Sequence, residues 1–373
     1  MFSVCPSDAR EIGRVAAGRP PLVSRVIRSA NGDTPRGREL VARRRGSYTS
    51  LMRQGWLLLG LLAPLLLGGC SVLSIDLQPR IRPLEEDTVE GKGAAKILLL
   101  DLSGVFSDEP PSLSITTAPP RVPLLARVQE ELRKAEKDDR IKALIVRINS
   151  PGGTITASDT LYREIHEFKR RKKIPAIAAI MDVGASGGYY AALAADTIVA
   201  HPTAVTGSIG VVMLTVNAQG LMEKIGVAPL AIKSGAMKDA GSPFRALNPE
   251  ERAVFQGVIN DMYGRFVTLI VQSRKIQEDR VRAFADGRVY TAEQALGLGL
   301  VDRVAYLDEV VEMAKKAAGV DEARVVMYHR PKEYRASIYS GTSVAPASAE
   351  TALAHLAGML GGAGPRFMYL WWP

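Results

Sequence analysis

The segment IPAIAAIMDVGASGGYYAALAAD, residues 174–196, changes from one structural pattern to another at a single serine. Its first part is a short continuous apolar run, which is typical of a strand buried on both faces. An alanine-rich run follows, and Ser186 stands between the two parts among three glycines. One interpretation is that small residues let a helix pack tightly against a sheet. The other is that Ser186 is a nucleophile presented at the start of a helix.

The same alternation of strand and helix continues toward the N-terminus. Apolar runs at 96–102 and 141–149 predict two further buried strands, and helical periodicity covers about 123–137 and 157–169. The order strand, helix, strand, helix, strand predicts an α/β fold with parallel pairing. Downstream, the sequence NPEE from Asn248 predicts the capped start of a long helix.

The positive charge of the chain is concentrated at its beginning. The whole chain has a formal net charge of +9, but residues 1–53 hold eleven arginines, no lysine and only four acidic residues. The remaining residues are therefore nearly neutral, and a basic groove for nucleic acid is not indicated. We expect residues 1–51 to be disordered or untranslated, with Met52 as an alternative start.

A signal sequence is predicted at residues 52–70. Arg53 precedes the apolar run WLLLGLLAPLLL, which is too short to span a bilayer comfortably, and the sequence LGGC ends it at Cys70. This sequence resembles a bacterial lipobox, which would make Cys70 the acylated first residue of the mature protein. An uncleaved signal anchor is the alternative, and either one exports the remainder of the chain.

The segments that flank the central domain carry weaker signals. Residues 71–94 are polar with scattered prolines and are expected to be a tether, followed by a domain at 95–320. Residues 321–373 are expected to be a partly mobile C-terminal extension. Its last ten residues, GPRFMYLWWP, are unusually aromatic for an exposed tail, so we expect them to dock on a surface or a partner.

A serine nucleophile needs a base to accept its proton. The four histidines lie in settings that give a Ser-His-Asp triad little support, but a lysine can replace histidine when burial keeps its amine neutral. The segment IKSGAMKDAGSPFR offers Lys233 and Lys238 among small residues. A solvated surface loop is the alternative interpretation of this segment.

Acyl transfer also needs two N–H groups that bind the oxyanion. The sequence NSPGG ends the second predicted strand, and its glycines would allow bare backbone to approach a ligand. Gly187, directly after the serine, is a candidate for the second donor. Each of these signals is weak when taken alone, and the residues indicate no cofactor and no metal site.

Five motifs in order give a much stronger signal. RINSPGG, DVGASGGYYAALAAD, TGSIGV, SGAMKDAGSPFR and ALGLGLVD resemble the signal peptide peptidase A (protease IV) family across about residues 95–318. The resemblance implies a ClpP/crotonase-like fold of repeated β-β-α units around a parallel sheet core. It further implies a serine endopeptidase that hydrolyses signal peptides or other short apolar peptides.

Site residues follow from the same resemblance. Ser186 matches the nucleophile, Lys238 the general base, and Ser208 the serine that orients the lysine; Gly153 and Gly187 match the oxyanion donors. Lys238 is preferred over the neighbouring lysine because it directly precedes the sequence Asp-x-Gly-Ser-Pro.

The resemblance also implies a setting for the enzyme. It implies a homo-oligomer in which neighbouring subunits complete each active site. Together with the predicted signal sequence at residues 52–70, the resemblance implies attachment to a membrane of the bacterial cell envelope, with the catalytic domain on the extracytoplasmic side. Two other functions remain open: a non-catalytic oligomeric lipoprotein scaffold, and a crotonase-like acyl-CoA enzyme.

Overall fold

A computed structural model describes residues 82–107, 122–331, 336–340 and 366–371. The basic N-terminal segment, the signal sequence and Cys70 lie outside the described residues. Within those residues, no helix combines the length and the apolar character needed to cross a bilayer.

The described residues form twelve strands and eight α-helices. The strands are β1 Glu85–Gly91, β2 Ala95–Ser103, β3 Ile141–Ser150, β4 Gly152–Thr154, β5 Ala176–Ala185, β6 Thr197–Ala200, β7 Val205–Gly207, β8 Val212–Leu214, β9 Val289–Thr291, β10 Arg303–Val304, β11 Ala323–His329 and β12 Arg366–Leu370. The helices are α1 Leu124–Glu136, α2 Ile155–Lys172, α3 Gly187–Ala192, α4 Gln219–Lys224, α5 Pro249–Arg274, α6 Glu278–Phe284, α7 Ala292–Leu298 and α8 Leu307–Ala318. The predicted strands and helices are confirmed, with ends that differ by a few residues.

The main sheet has a parallel core. Its strand order is β1-β11-β2-β3-β5-β6-β10, and β7 continues the sheet beside the end of β5. All neighbours from β11 to β10 run parallel, whereas β1 at the edge runs antiparallel to β11. The expected α/β fold with a parallel sheet core is thereby confirmed.

Both faces of this sheet are covered, which explains the continuous apolar runs. On β2, Leu98 and Leu100 pack into a cluster with α1 and α2, while Ile97 and Leu99 pack into a second cluster with α8. A strand between two helical layers has no face left for polar residues. The apolar run therefore spans the whole strand instead of alternating.

The fold extends beyond both expected domain boundaries. Strand β1 lies within the segment expected to be a tether, and β11 lies within the expected C-terminal extension, between β1 and β2 in the sheet. Arg147 donates hydrogen bonds to the carbonyls of Ile338 and Ser340, which ties a further part of the extension to the sheet. These pairings join residues far apart in the chain, so local sequence patterns did not reveal them.

A second, three-stranded sheet lies beside the main one. Strand β12 runs antiparallel between β4 and β8, so residues near the end of the chain pair with the segment that follows β3. The aromatic tail was expected to dock, and the structure shows where part of it docks.

Candidate active site

Ser186 lies at the turn where β5 ends and α3 begins. Its backbone has φ 52° and ψ −113°, in a region that non-glycine residues rarely adopt. Such backbone strain persists only where surrounding contacts hold it, and it is common at active sites. The residue is buried, and its hydroxyl makes no hydrogen bond to a described residue. The turn thus positions a buried serine hydroxyl that is not used in a structural hydrogen bond.

Strand β7 fixes this turn from one side. It pairs in parallel with the end of β5, and the Ser186 amide donates to the Gly207 carbonyl at 2.8 Å. Ser208 follows directly, with a φ of 48° and its own amide donating to the Arg288 carbonyl at 2.7 Å. The structure therefore brings the backbone of Ser208 next to that of the predicted nucleophile.

The turn between β3 and β4 approaches from the other side. Gly152 has a φ of +102°, and its amide donates to the Ser150 hydroxyl at 3.0 Å. A Cβ at this position would lie 2.7 Å from the Gly187 amide nitrogen, so only glycine permits this approach. Gly153 is the next residue on β4. The two predicted oxyanion donors therefore lie on two backbone segments in close contact around Ser186.

Lys238 is placed differently from the other predicted site residues. It lies in a 3₁₀ turn, Ala236–Asp239, and its side chain is exposed in the single chain. No hydrogen bond or ion pair joins its amine to a described residue. The structure of one chain thus assembles the serines and glycines and leaves the predicted base at the surface.

A charged network holds the turn that carries Lys238. Arg245 donates to the Asp239 carboxylate at 2.8 and 3.0 Å, and it also binds Glu251 near the start of α5. These hydrogen bonds from Arg245 hold the pKa of Asp239 well below its usual range. Lys233 donates to the same carboxylate at 2.5 Å. Lys233 is therefore engaged in an ion pair, whereas Lys238 is not.

The ion pairs of this network were not predicted from the sequence. Asp239, Arg245 and Glu251 follow one another at intervals of six residues but do not share a helix or a strand, so no local periodicity predicts their contacts. The motif SGAMKDAGSPFR and the capping box at Asn248 were the recognisable signals in this region. The structure confirms the capping box, because the Asn248 side chain accepts from the Glu251 amide at 2.8 Å and the Asn248 amide donates to the Glu251 carboxylate at 3.2 Å.

The two tyrosines after the serine are buried, but they differ in surroundings. The Tyr189 hydroxyl donates to the Leu300 carbonyl at 2.7 Å, deep in the core. Burial raises the pKa of Tyr190, whose hydroxyl stays protonated and donates to Asp159 at 2.6 Å. The ring of Tyr190 stacks on Tyr369 of β12, with centroids 5.2 Å apart. Tyr190 thus connects the serine helix to the aromatic tail.

The described residues contain no group of three or more His, Cys, Asp or Glu side chains arranged to hold a metal ion. The chemistry that this site supports comes from the hydroxyl of Ser186 and the backbone amides around it. A buried hydroxyl beside two glycine amides is suited to attack on a carbonyl carbon.

Comparison with known proteins agrees with this chemistry. The sequence model of Peptidase family S49 matches residues 168–321. A putative signal peptide peptidase SppA of Enterococcus faecium is 34% identical over 268 residues, which cover 70% of this chain and 75% of that protein. The putative protease slr0021 of Synechocystis sp. is 40% identical over 192 residues, covering 52% of this chain and 69% of that protein.

The fold and the site thus define a serine peptidase of family S49. Within that class, the chain belongs to the SppA family. Among solved structures, a ClpP1 mutant from Listeria monocytogenes aligns with 56% of this chain and 92% of its own, at 18% identity and a TM-score of 0.36.

Proposed function

We propose that this chain is a membrane-tethered endopeptidase that cleaves signal peptides or other short apolar peptides with a Ser186–Lys238 dyad. The observation that carries the proposal is the position of Ser186. It is a buried hydroxyl on a strained turn, with Gly153 and Gly187 on adjoining backbone segments, in a chain of the SppA family.

Catalysis would proceed through an acyl-enzyme. The Lys238 amine takes the proton of the Ser186 hydroxyl as its oxygen attacks the peptide carbonyl carbon. The amides of Gly153 and Gly187 stabilise the resulting oxyanion. When the C–N bond breaks, Lys238 returns the proton to the leaving amine. Lys238 then deprotonates a water that hydrolyses the ester and restores the serine, while Ser208 orients the amine.

A second subunit would complete the site. A lysine acts as a base only when it is neutral, and exclusion of water favours the neutral form. In the single chain Lys238 is exposed, so the surface that shields it must come from elsewhere. The same segment exposes apolar side chains, among them Leu230 at 87% and Ile232 at 96%. Apolar residues this exposed are typical of an interface, which supports a homo-oligomer.

The proposal that the protein is anchored to a membrane rests on the predicted signal sequence at residues 52–70 alone. Acylation of Cys70 would hold the domain at a membrane of the bacterial cell envelope, on the extracytoplasmic side. The peptide products of protein export would reach the enzyme at that location. The class of substrate and the site of attachment are therefore consistent with each other.

The experiment combines hydrolysis of an apolar signal-peptide substrate with covalent labelling by a fluorophosphonate. Ser186→Ala and Lys238→Ala should each lower kcat by a factor on the order of 10³ or more, because both residues act in the same step. Both variants should also lose the label. Lys224→Ala, which removes another exposed lysine of the same region, is the control and should keep its activity.

Retention of substantial hydrolysis by Lys238→Ala would contradict the dyad. The mass of each variant is measured by light scattering alongside activity. If a variant loses the label while its oligomer mass is unchanged, its loss of activity is due to the missing catalytic group and not to loss of assembly.

A further inference from the structure

We propose that a basic patch at the ends of helices α1 and α2 binds the anionic phospholipid headgroups of the membrane to which the chain is tethered. This inference rests on the membrane attachment proposed above. The basic patch comprises residues 133–142 and 169–173, which together hold ten lysine and arginine side chains and three carboxylates. Because the chain after residue 53 is nearly neutral overall, this excess of positive charge is a local property of the patch.

Direct contacts between the two helix ends make the patch one continuous surface. Arg171, in the last turn of α2, donates to the Glu136 carboxylate at the end of α1 at 2.7 Å. Lys172 donates to the backbone carbonyls of Glu136 and Asp138 at 3.3 and 3.0 Å. The two basic segments therefore lie side by side in the folded chain.

The patch carries more positive side chains than its own carboxylates can pair with. Each carboxylate has a basic partner at 2.7 to 3.7 Å, in the pairs Glu136–Arg171, Asp138–Arg140 and Asp139–Lys172. Four further basic side chains are exposed and form no ion pair or hydrogen bond with a described residue: Arg133, Lys137, Lys142 and Lys173. These four charges are therefore free to bind an external anion.

The chain enters the fold beside this patch. Lys134 of the patch donates to the backbone carbonyl of Leu84, just before β1 begins. Lys96 binds Glu86 of β1 and donates to Asp138 of the patch at 2.8 Å. The first described residues are thus fixed to the same surface that carries the unpaired charges.

The length of chain between the predicted anchor and the fold keeps the patch near the membrane. Residues 71–81 separate Cys70 from Arg82, so even a fully extended chain between them spans no more than about 40 Å. Such a tether gives the patch a high effective concentration at the lipid surface, where each lysine or arginine strengthens binding about fivefold. Proximity and charge complementarity therefore both favour anionic phospholipid as the partner.

Docking through the patch would also orient the active site. The patch adjoins the starts of β3 and β5, whereas Ser186 follows the end of β5. The ten residues of β5, Ala176–Ala185, span about 30 Å at the rise of a parallel strand. The lipid surface and the serine then lie at opposite edges of the sheet, which leaves the site open to peptides.

The test is acetylation footprinting of the full chain on two kinds of vesicle, phosphatidylcholine alone and phosphatidylcholine mixed with phosphatidylglycerol. Trace acetylation followed by mass spectrometry reports the accessibility of each lysine separately. We expect Lys137, Lys142 and Lys173 to be acetylated about tenfold more slowly on the anionic vesicles at physiological ionic strength. Lys224, an exposed lysine outside the patch, should react equally on both.

A double variant tests whether the charge of the patch is responsible. Arg133→Gln combined with Lys137→Gln should weaken docking about 25-fold, at about fivefold per charge, and so expose the other two unpaired lysines on anionic vesicles. The matched control is Arg252→Gln combined with Arg280→Gln. It removes two exposed arginines of α5 and α6 and should keep the protection.

Equal acetylation on the two kinds of vesicle would overturn the proposal. Protection by a single-stranded oligonucleotide, but not by anionic lipid, would overturn it in favour of nucleic acid. Sedimentation with phosphatidylcholine vesicles, which carry no net charge, reports the Cys70 anchor separately. A chain that is protected on anionic vesicles but does not sediment with neutral ones would support the basic patch and contradict the proposed anchor.

Discussion

Individual glycines decide how closely the backbone segments around Ser186 can approach. Gly188, in the first turn of α3, lies so near β3 that a Cβ would be 2.7 Å from the Ser150 carbonyl oxygen. At Gly257, inside α5, a Cβ would meet no heavy atom within 4 Å apart from its chain neighbours and the backbone of its own helix. Both glycines have a helical backbone conformation, but they lie in different helices and have different surroundings.

Alanine substitution should therefore act in opposite directions at these two positions. Gly188→Ala should lower the free energy of unfolding by about 1–3 kcal/mol, because the carbonyl it meets belongs to a central strand. Gly257→Ala should raise the same quantity by about 0.5–1 kcal/mol through helix propensity. Urea unfolding at matched protein concentration measures both. A stabilising Gly188→Ala would mean that α3 can move away from β3.

At the scale of elements, sequence patterns predicted what the chain forms but not all that the elements contact. The apolar runs predicted β2, β3 and β5, since a strand covered on both faces must be apolar throughout. The turn that carries Lys238 is different. It is held by Arg245, which lies outside the helices and strands and binds Asp239 in the 3₁₀ turn and Glu251 at the start of α5. No single helix or strand contains these three residues, so no periodicity predicts their contacts.

Loss of Arg245 should misplace Lys238. Arg245→Met should lower kcat about ten- to a hundredfold, because a small displacement of a catalytic group has a large kinetic effect. Arg282→Met, which removes an exposed ion pair with Glu278 on α6, is the control and should keep kcat. An unchanged kcat in Arg245→Met would show that the network does not position the lysine.

The same network predicts a pH dependence of the turn. The pKa values of Asp239 and Glu251 are lowered, chiefly by hydrogen bonds from Arg245. The stabilisation is therefore present above the ordinary carboxyl pKa and is lost only as the pH falls toward the lowered values. Protection factors of residues 231–248, corrected for the intrinsic exchange rate, should be the same at pH 7 and pH 5 in the wild type and should fall only below about pH 4. In Arg245→Met they should already be lower at pH 7 and should depend less on pH.

At the scale of the whole molecule, the exposed apolar side chains near Lys238, among them Leu230 and Ile232, predict that the chain forms a homo-oligomer. Ile232→Asp places a charge where the proposed interface buries an apolar side chain, so the particle mass should fall and kcat should decrease about tenfold or more. Leu296→Asp, at an exposed apolar position on α7 outside this segment, is the control. Light scattering and activity are measured on the same samples. An unchanged mass for Ile232→Asp would place the interface elsewhere.

The sequence by itself determined the alternation of strands and helices, the position of Ser186 at their junction, and the five motifs of the SppA family. These features depend on local periodicity and on residue types at fixed spacing. Only the tertiary structure decided that β11 inserts between β1 and β2, that Gly152 touches Gly187, and that β12 lies between β4 and β8. The physical reason is that such pairings form between residues far apart in the chain, where hydrogen bonding and packing choose the partner and local pattern does not.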